Sequence, residues 1–233
     1  MATNRTFEAW VNPLAFLEID EPWATELKRA VTHESVLTYC CPPDFPSDLD
    51  SLVARYKDIS TEPARLFVVP AERLLIERLV WPLRNAKAAY MLGNHLATIA
   101  LCGMVAEMTA ILLWEVAEVQ VNGVPLTPKG EAALFGRSFE KLGQERRVEV
   151  LVAYQLISEE NRDRLDRIRE YRRKYLHFWS QGHDGAAHDA KACYHDAVSV
   201  VVAVIGQEIQ DGKIQLTSGI LRYLEKHQPP GAA

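Results

Sequence analysis

Residues 95–118, HLATIALCGMVAEMTAILLWEVAE, read as one helix that is apolar nearly all round. A helix without a polar face has no side to turn to water, so it must be central and contacted on several sides. One residue stands out within it. Glu107 puts a carboxylate in the middle of the run, and a buried charge is expensive unless it is paired, so the expected partner is a cation. Residues 96–114 are apolar enough to raise the question of a membrane span. Glu107, flanked by Thr98 and Thr109, argues for a buried core helix and against a membrane.

The complementary stretch is Asn161 to Ser180, NRDRLDRIREYRRKYLHFWS. Leu165, Ile168, Tyr175, Leu176 and Trp179 recur at the three- and four-residue steps of one buried stripe, and the position that should continue the stripe is Arg172. Five residues later comes His177, close to the helix end and before the break at Gly182 to Gly185. Five residues is about 140° of helical rotation, which lets a long guanidinium share a pocket with an imidazole. Arg172 and His177 are therefore the candidate site.

The net charge is −5, which excludes a global basic footprint of the kind that coats DNA. Any nucleic-acid site has to be local. Residues 161–174 offer one, with seven cationic side chains against three acidic, a local charge of +4. Such a run can equally be a solvated helix face laced with ion pairs. The four cysteines, Cys40, Cys41, Cys102 and Cys193, include no CxxC pair, and with no charged-then-apolar leader the expected setting is a reducing cytoplasm.

Seven prolines interrupt the first seventy residues, which are expected to form an irregular arm around a helical core or a dimer partner. Short helices are expected there at 22–31 and at 47–57, the latter after a Ser47 cap, and VLTYCC and ARLFVV read as short strands or extended packing segments. From Ala71 the pattern turns helical. AERLLIERLVW is ended or kinked by Pro82. Residues 119–130 form a connection with a turn at Asn122-Gly123, and Pro125 and Pro128 oppose helix there; a short helix at 130–142 follows. Ser158 looks like a fresh N-cap. The expected architecture is all-α: an up-and-down bundle of four main helices (83–118 in one or two pieces, 142–157, 160–179 and 189–208) within a domain at 71–208, with a short helix and tail at 209–233.

His183, His188 and His195 lie near His177 together with Asp184, Asp189 and Asp196, but none makes an HExxH pattern. No metal is expected. Solvated loop histidines, with Asp189 as an N-cap, account for them. No Gly-rich phosphate loop is present, so no nucleotide-type cofactor is expected.

Arg172 and His177 in RRKYLH, on the third long helix, resemble the Arg-x(4–6)-His signature of the HEPN superfamily, all-α proteins that include many metal-independent ribonucleases. The helix around Glu107 resembles the superfamily's other core helix, with Glu107 where those proteins often place an acid, and the similarity spans roughly 82–207. The resemblance implies a HEPN-like bundle that cleaves single-stranded RNA by attack of the ribose 2′-OH. His177 would serve the proton transfers and Arg172 the developing phosphorane charge. Glu107 and Arg173 would support them, and Arg169 and Lys174 would contact flanking phosphates.

Superfamily members commonly pair so that two motifs face one cleft, which implies a homodimer. A toxin–antitoxin setting would add an antitoxin-like protein partner. Active members usually carry a small polar residue directly after the motif arginine, where this chain has Arg173. That departure supports the other reading, a non-catalytic HEPN-like module binding nucleotide, RNA or a protein.

Overall fold

A computed structural model describes residues 41–42, 44–46, 48–67, 69–70, 72–177, 180, 182–210 and 213–227. The chain divides into two compact units, residues 1–45 and 46–233. The expected helix at 22–31, most of VLTYCC, the proposed Ser47 cap and Trp179 lie outside the described residues. The second unit is a helical bundle, as the hydrophobic periodicity requires. Its helices are α1 (Leu49–Ile59), α2 (Trp81–Met91), α3 (His95–Ala117), α4 (Pro128–Phe135), α5 (Gln144–Ala153), α6 (Glu159–Leu176), α7 (Ala186–Ile205) and α8 (Ser218–His227).

The centre of the bundle is α3, which packs against α2, α6 and α7 and also touches α5 and α8. Ile99, Cys102, Val105, Ala106, Ala110 and Leu112 are buried around it. Length and composition alone would let α3 cross a membrane. Its neighbours in the bundle bury half of that apolar stretch. A smaller core forms where Trp114 of α3 stacks on Phe139 with ring centroids 4.5 Å apart. Glu131 of α4 holds that corner, accepting from Trp114 Nε1 at 2.7 Å and from the Phe139 amide at 2.9 Å.

Several local expectations are revised. The compact helical unit begins at Pro46, so α1 belongs to it rather than to an N-terminal arm. The N-cap of α1 is Asp48, whose side chain accepts from the Ser51 amide at 2.7 Å. Pro82 does not end its helix. A short α segment, Arg73–Leu75, passes through a π-helical turn, Ile76–Val80, into α2, and Pro82 follows directly on that turn, within a helical run that continues to Met91. Pro128 starts α4 behind a Thr127 cap. The connection at 119–130 contains a two-stranded ribbon, β1 (Gln120–Val121) and β2 (Val124–Pro125), closed by Asn122 and Gly123, both at positive φ. Arg65, Leu66 and Phe67 form no strand, and a second ribbon, β3 (Glu208–Gln210) and β4 (Lys213–Gln215), precedes α8.

The end of α1 is tied to α2 and α7 through one carboxylate. Asp58 accepts from Tyr90 Oη at 2.6 Å and from Lys191 Nζ at 2.5 Å. The bond from Lys191, and then that from Tyr90, hold its pKa below the ordinary 3.8 against the effect of burial. A carboxyl depressed by folding stabilises the folded state above its unfolded pKa, and that contribution disappears as pH falls through the folded value. Asp58→Asn is therefore expected to melt below the parent near neutral pH, with the gap closing at pH below 3.8. A gap that stays constant in melting curves down to about pH 2 would mean that ionised Asp58 is not the anchor.

Candidate functional site

Helix α6 opens on Ser158, whose hydroxyl accepts from the Asn161 amide at 3.3 Å, with Glu159 and Glu160 in its first turn and Arg173 and Lys174 in its last. Charges so placed oppose the helix dipole at both ends. Leu165, Ile168 and Tyr175 are buried as the stripe requires, whereas Leu176 is exposed. Arg172 continues the buried face, and the bundle supplies what a charge there needs. Its guanidinium Nη1 donates to Glu107 Oε1.

Two features of α3 make that bond possible. Glu107 provides the acid, and Gly103, one turn earlier on the same face, provides the space. A Cβ at Gly103 would lie 2.7 Å from Arg172 Cδ. The arginine lies across the glycine and reaches the acid beyond it. The other carboxylate oxygen, Oε2, is 3.5 Å from Arg147 Nη1 on α5, an ion pair without hydrogen-bond alignment. Arg147 is itself held by the Phe139 and Glu140 carbonyls, at 3.3 and 2.6 Å. Two guanidiniums thus share one carboxylate, leaving a net charge of +1. The Arg172 and Glu107 side chains are 33% and 26% exposed, so an anion in solvent can reach this surplus.

His177 ends α6 as its C-cap, its amide donating to the Arg173 carbonyl at 3.2 Å. The imidazole is exposed and makes no hydrogen bond among the described residues. No hydrogen bond joins its ring to Arg172 among the described residues, and the Arg172 guanidinium turns to α3. Arg172 and Glu107 are thus brought together, and His177 stands apart at the helix end.

The rest of the basic run is mostly engaged. Arg169 pairs with Glu145 at 2.7 Å and Asp166 at 3.3 Å, and the bond to Glu145 raises its pKa. Arg167 grips Asp196 on α7 through two bonds of 2.9 and 2.7 Å. Lys174 Nζ donates to Asp189 at 2.8 Å, which raises its pKa. Arg173 is exposed, and its charge helps to lower the pKa of Glu145, after the larger effect of Arg169. Asp189 is not the N-cap of α7, a position held by Gly185. It collects Lys174, Tyr175 Oη at 2.7 Å and His188 Nδ1 at 3.1 Å. Burial acts to raise the Asp189 pKa, and these three bonds together outweigh it and lower it.

His195 contacts the Ile59 carbonyl at 3.1 Å. Among the described residues no three His, Cys, Asp or Glu side chains are grouped to hold a metal ion. Gly103 and Arg147 were absent from the sequence-derived site. Gly103 carried a usable signal, one helical turn before Glu107. Arg147 shares the apolar face of its helix with Val148 and Leu151, which sets it apart from the exposed Arg146. Compared with models of protein families, with curated proteins and with solved structures, the chain matches none.

Replacing glycine by alanine inside a helix ordinarily stabilises by about 1 kcal/mol. At Gly103 the new methyl meets an arginine tethered at its far end, so Gly103→Ala is expected to bring no gain or a loss in urea unfolding. In an Arg172→Ala background the same change should recover the gain of about 1 kcal/mol. A full gain in the parent chain would place Arg172 elsewhere.

Proposed function

We propose that this chain is a metal-independent endoribonuclease of the HEPN type, acting on single-stranded RNA. The observation that carries the proposal is the bond between Arg172 and Glu107, which fixes a partly exposed guanidinium on the helix that ends in His177. The surplus positive charge shared with Arg147 favours a phosphate oxygen at that point. His177, exposed and without a hydrogen bond among the described residues, is available for proton transfer.

In the proposed reaction His177 takes the proton of a ribose 2′-OH, and the oxygen attacks the adjacent phosphorus in line. Arg172 neutralises the charge that develops on the phosphorane, and a protonated imidazole returns a proton to the leaving 5′ oxygen. The products are a 2′,3′-cyclic phosphate and a 5′-hydroxyl. The Arg172 guanidinium is bonded to Glu107 and one copy offers a single imidazole at the helix end, so a second copy facing the first would complete the pair of proton-transfer groups.

A second reading has its own observation. Arg167, Arg169 and Lys174 are bound to acids of their own and neighbouring helices, so much of the basic run is already neutralised within the bundle. That arrangement suits a module that binds nucleotide, RNA or a protein partner without cleaving.

If the first reading holds, purified chain cleaves single-stranded RNA in the presence of EDTA and leaves a cyclic phosphate. His177→Ala should then lose about 10²–10⁴ in rate, the usual worth of a positioned acid or base, with melting temperature nearly unchanged. Wild-type chain that binds RNA but cleaves none, with EDTA or with Mg²⁺, decides for the binding module. Activity that requires an added metal contradicts both.

A further inference from the structure

A cavity of about 400 Å³ lies between the C-terminal half of α3, the start of α6, the end of α7 and the start of α8. That is a size at which small organic ligands are held. Its walls are mainly aliphatic, with Leu113, Ile157 and Val200 among them. Its hydroxyls already have partners. Thr109 Oγ1 donates to the Val105 carbonyl at 2.8 Å, Thr217 Oγ1 to the Val204 carbonyl at 3.4 Å, and the Ser158 hydroxyl caps α6. Among the described residues the one charged side chain in the lining is Arg222 of α8, and no acid lines the cavity with it.

Arg222 makes no hydrogen bond or ion pair among the described residues. Glu118 beside it is taken by Lys226 at 3.4 Å, and Glu115 faces the neighbouring crevice that Arg222 also borders. The helix bearing the arginine is seated closely. A Cβ on Gly219 would lie 2.4 Å from Val116 Cγ1, so α8 rests directly on α3 and carries Arg222 to the cavity rim.

We propose that this cavity binds a linear monocarboxylic acid, its hydrocarbon chain against the aliphatic walls and its carboxylate on Arg222. The charge pattern selects this occupant. A cationic amphiphile would meet Arg222 without an acid to receive it, and a neutral one would leave the guanidinium unused. The proposal is independent of the ribonuclease reading, since neither Arg172 nor His177 lines the cavity.

The test is calorimetric titration of the full chain with decanoate, decanol and decyltrimethylammonium, each below its micellar concentration. Decanoate is expected to bind saturably at one site, and Arg222→Gln to weaken it about tenfold or more, the scale of one charge-assisted hydrogen bond. Ala203→Trp places an indole from an exposed lining position into the cavity and should abolish binding while melting is unchanged. Should that variant melt early, Arg222→Gln, whose side chain has no partner to lose, decides alone. Absence of saturable binding, equal binding of all three amphiphiles, or unchanged affinity in Arg222→Gln overturns the proposal.

Discussion

Helix α6 depends on carboxylates that belong to other helices. Eighteen residues long, it buries only Leu165, Ile168 and Tyr175. At roughly 2 kcal/mol for each large apolar side chain, that burial is modest against the cost of ordering the helix. The rest of its attachment is ionic. Glu107 on α3, Glu145 on α5, and Asp189 and Asp196 on α7 each receive a cation from α6. Pairs on an open surface are worth little, but Glu107, Asp189 and Asp196 are largely shielded from water, and a shielded carboxylate without its cation is costly.

This arrangement gives the basic run its form. Three of the seven cations point to three different neighbours, Arg167 to α7, Arg169 to α5 and Arg172 to α3, while Arg162 pairs with Asp163 in its own helix. The chain thereby fixes the rotation of α6 within the bundle, because turning it would break several half-buried pairs at once. The same rotation leaves His177 in solvent and keeps Arg172 only partly covered. The geometry on which the proposed function rests is thus a by-product of how the helix is anchored.

The parts of this structure legible in the sequence are those governed by local periodicity. The all-round apolarity of α3 announced a central helix. The position of Arg172 in an apolar stripe called for an acid, Glu107 or another, and Glu107 is the one that it meets. Ser158 as a cap was readable because its hydroxyl serves an amide three residues away. What depends on approach in space was not readable. Arg167 and Asp196 are 29 residues apart, and no local rule couples them, so the charge run suggested pairs within one helix where most are between helices. The notch at Gly103 has meaning only once α6 lies over it. The π-helical turn before α2 has no breaker in its own sequence, IERLV, and the helix runs on through Pro82 where a local reading of proline expects it to end or kink.

The most direct test of this account is a double-mutant cycle on Glu107 and Arg172, each replaced by alanine singly and together, read by urea unfolding. Each single change strands a partly shielded partner, so the double variant should be less destabilised than the sum of the two, by a coupling of about 1 kcal/mol or more. Effects that add to within about 0.5 kcal/mol would contradict the account, since they would mean that the carboxylate of α3 and the guanidinium of α6 do not hold each other.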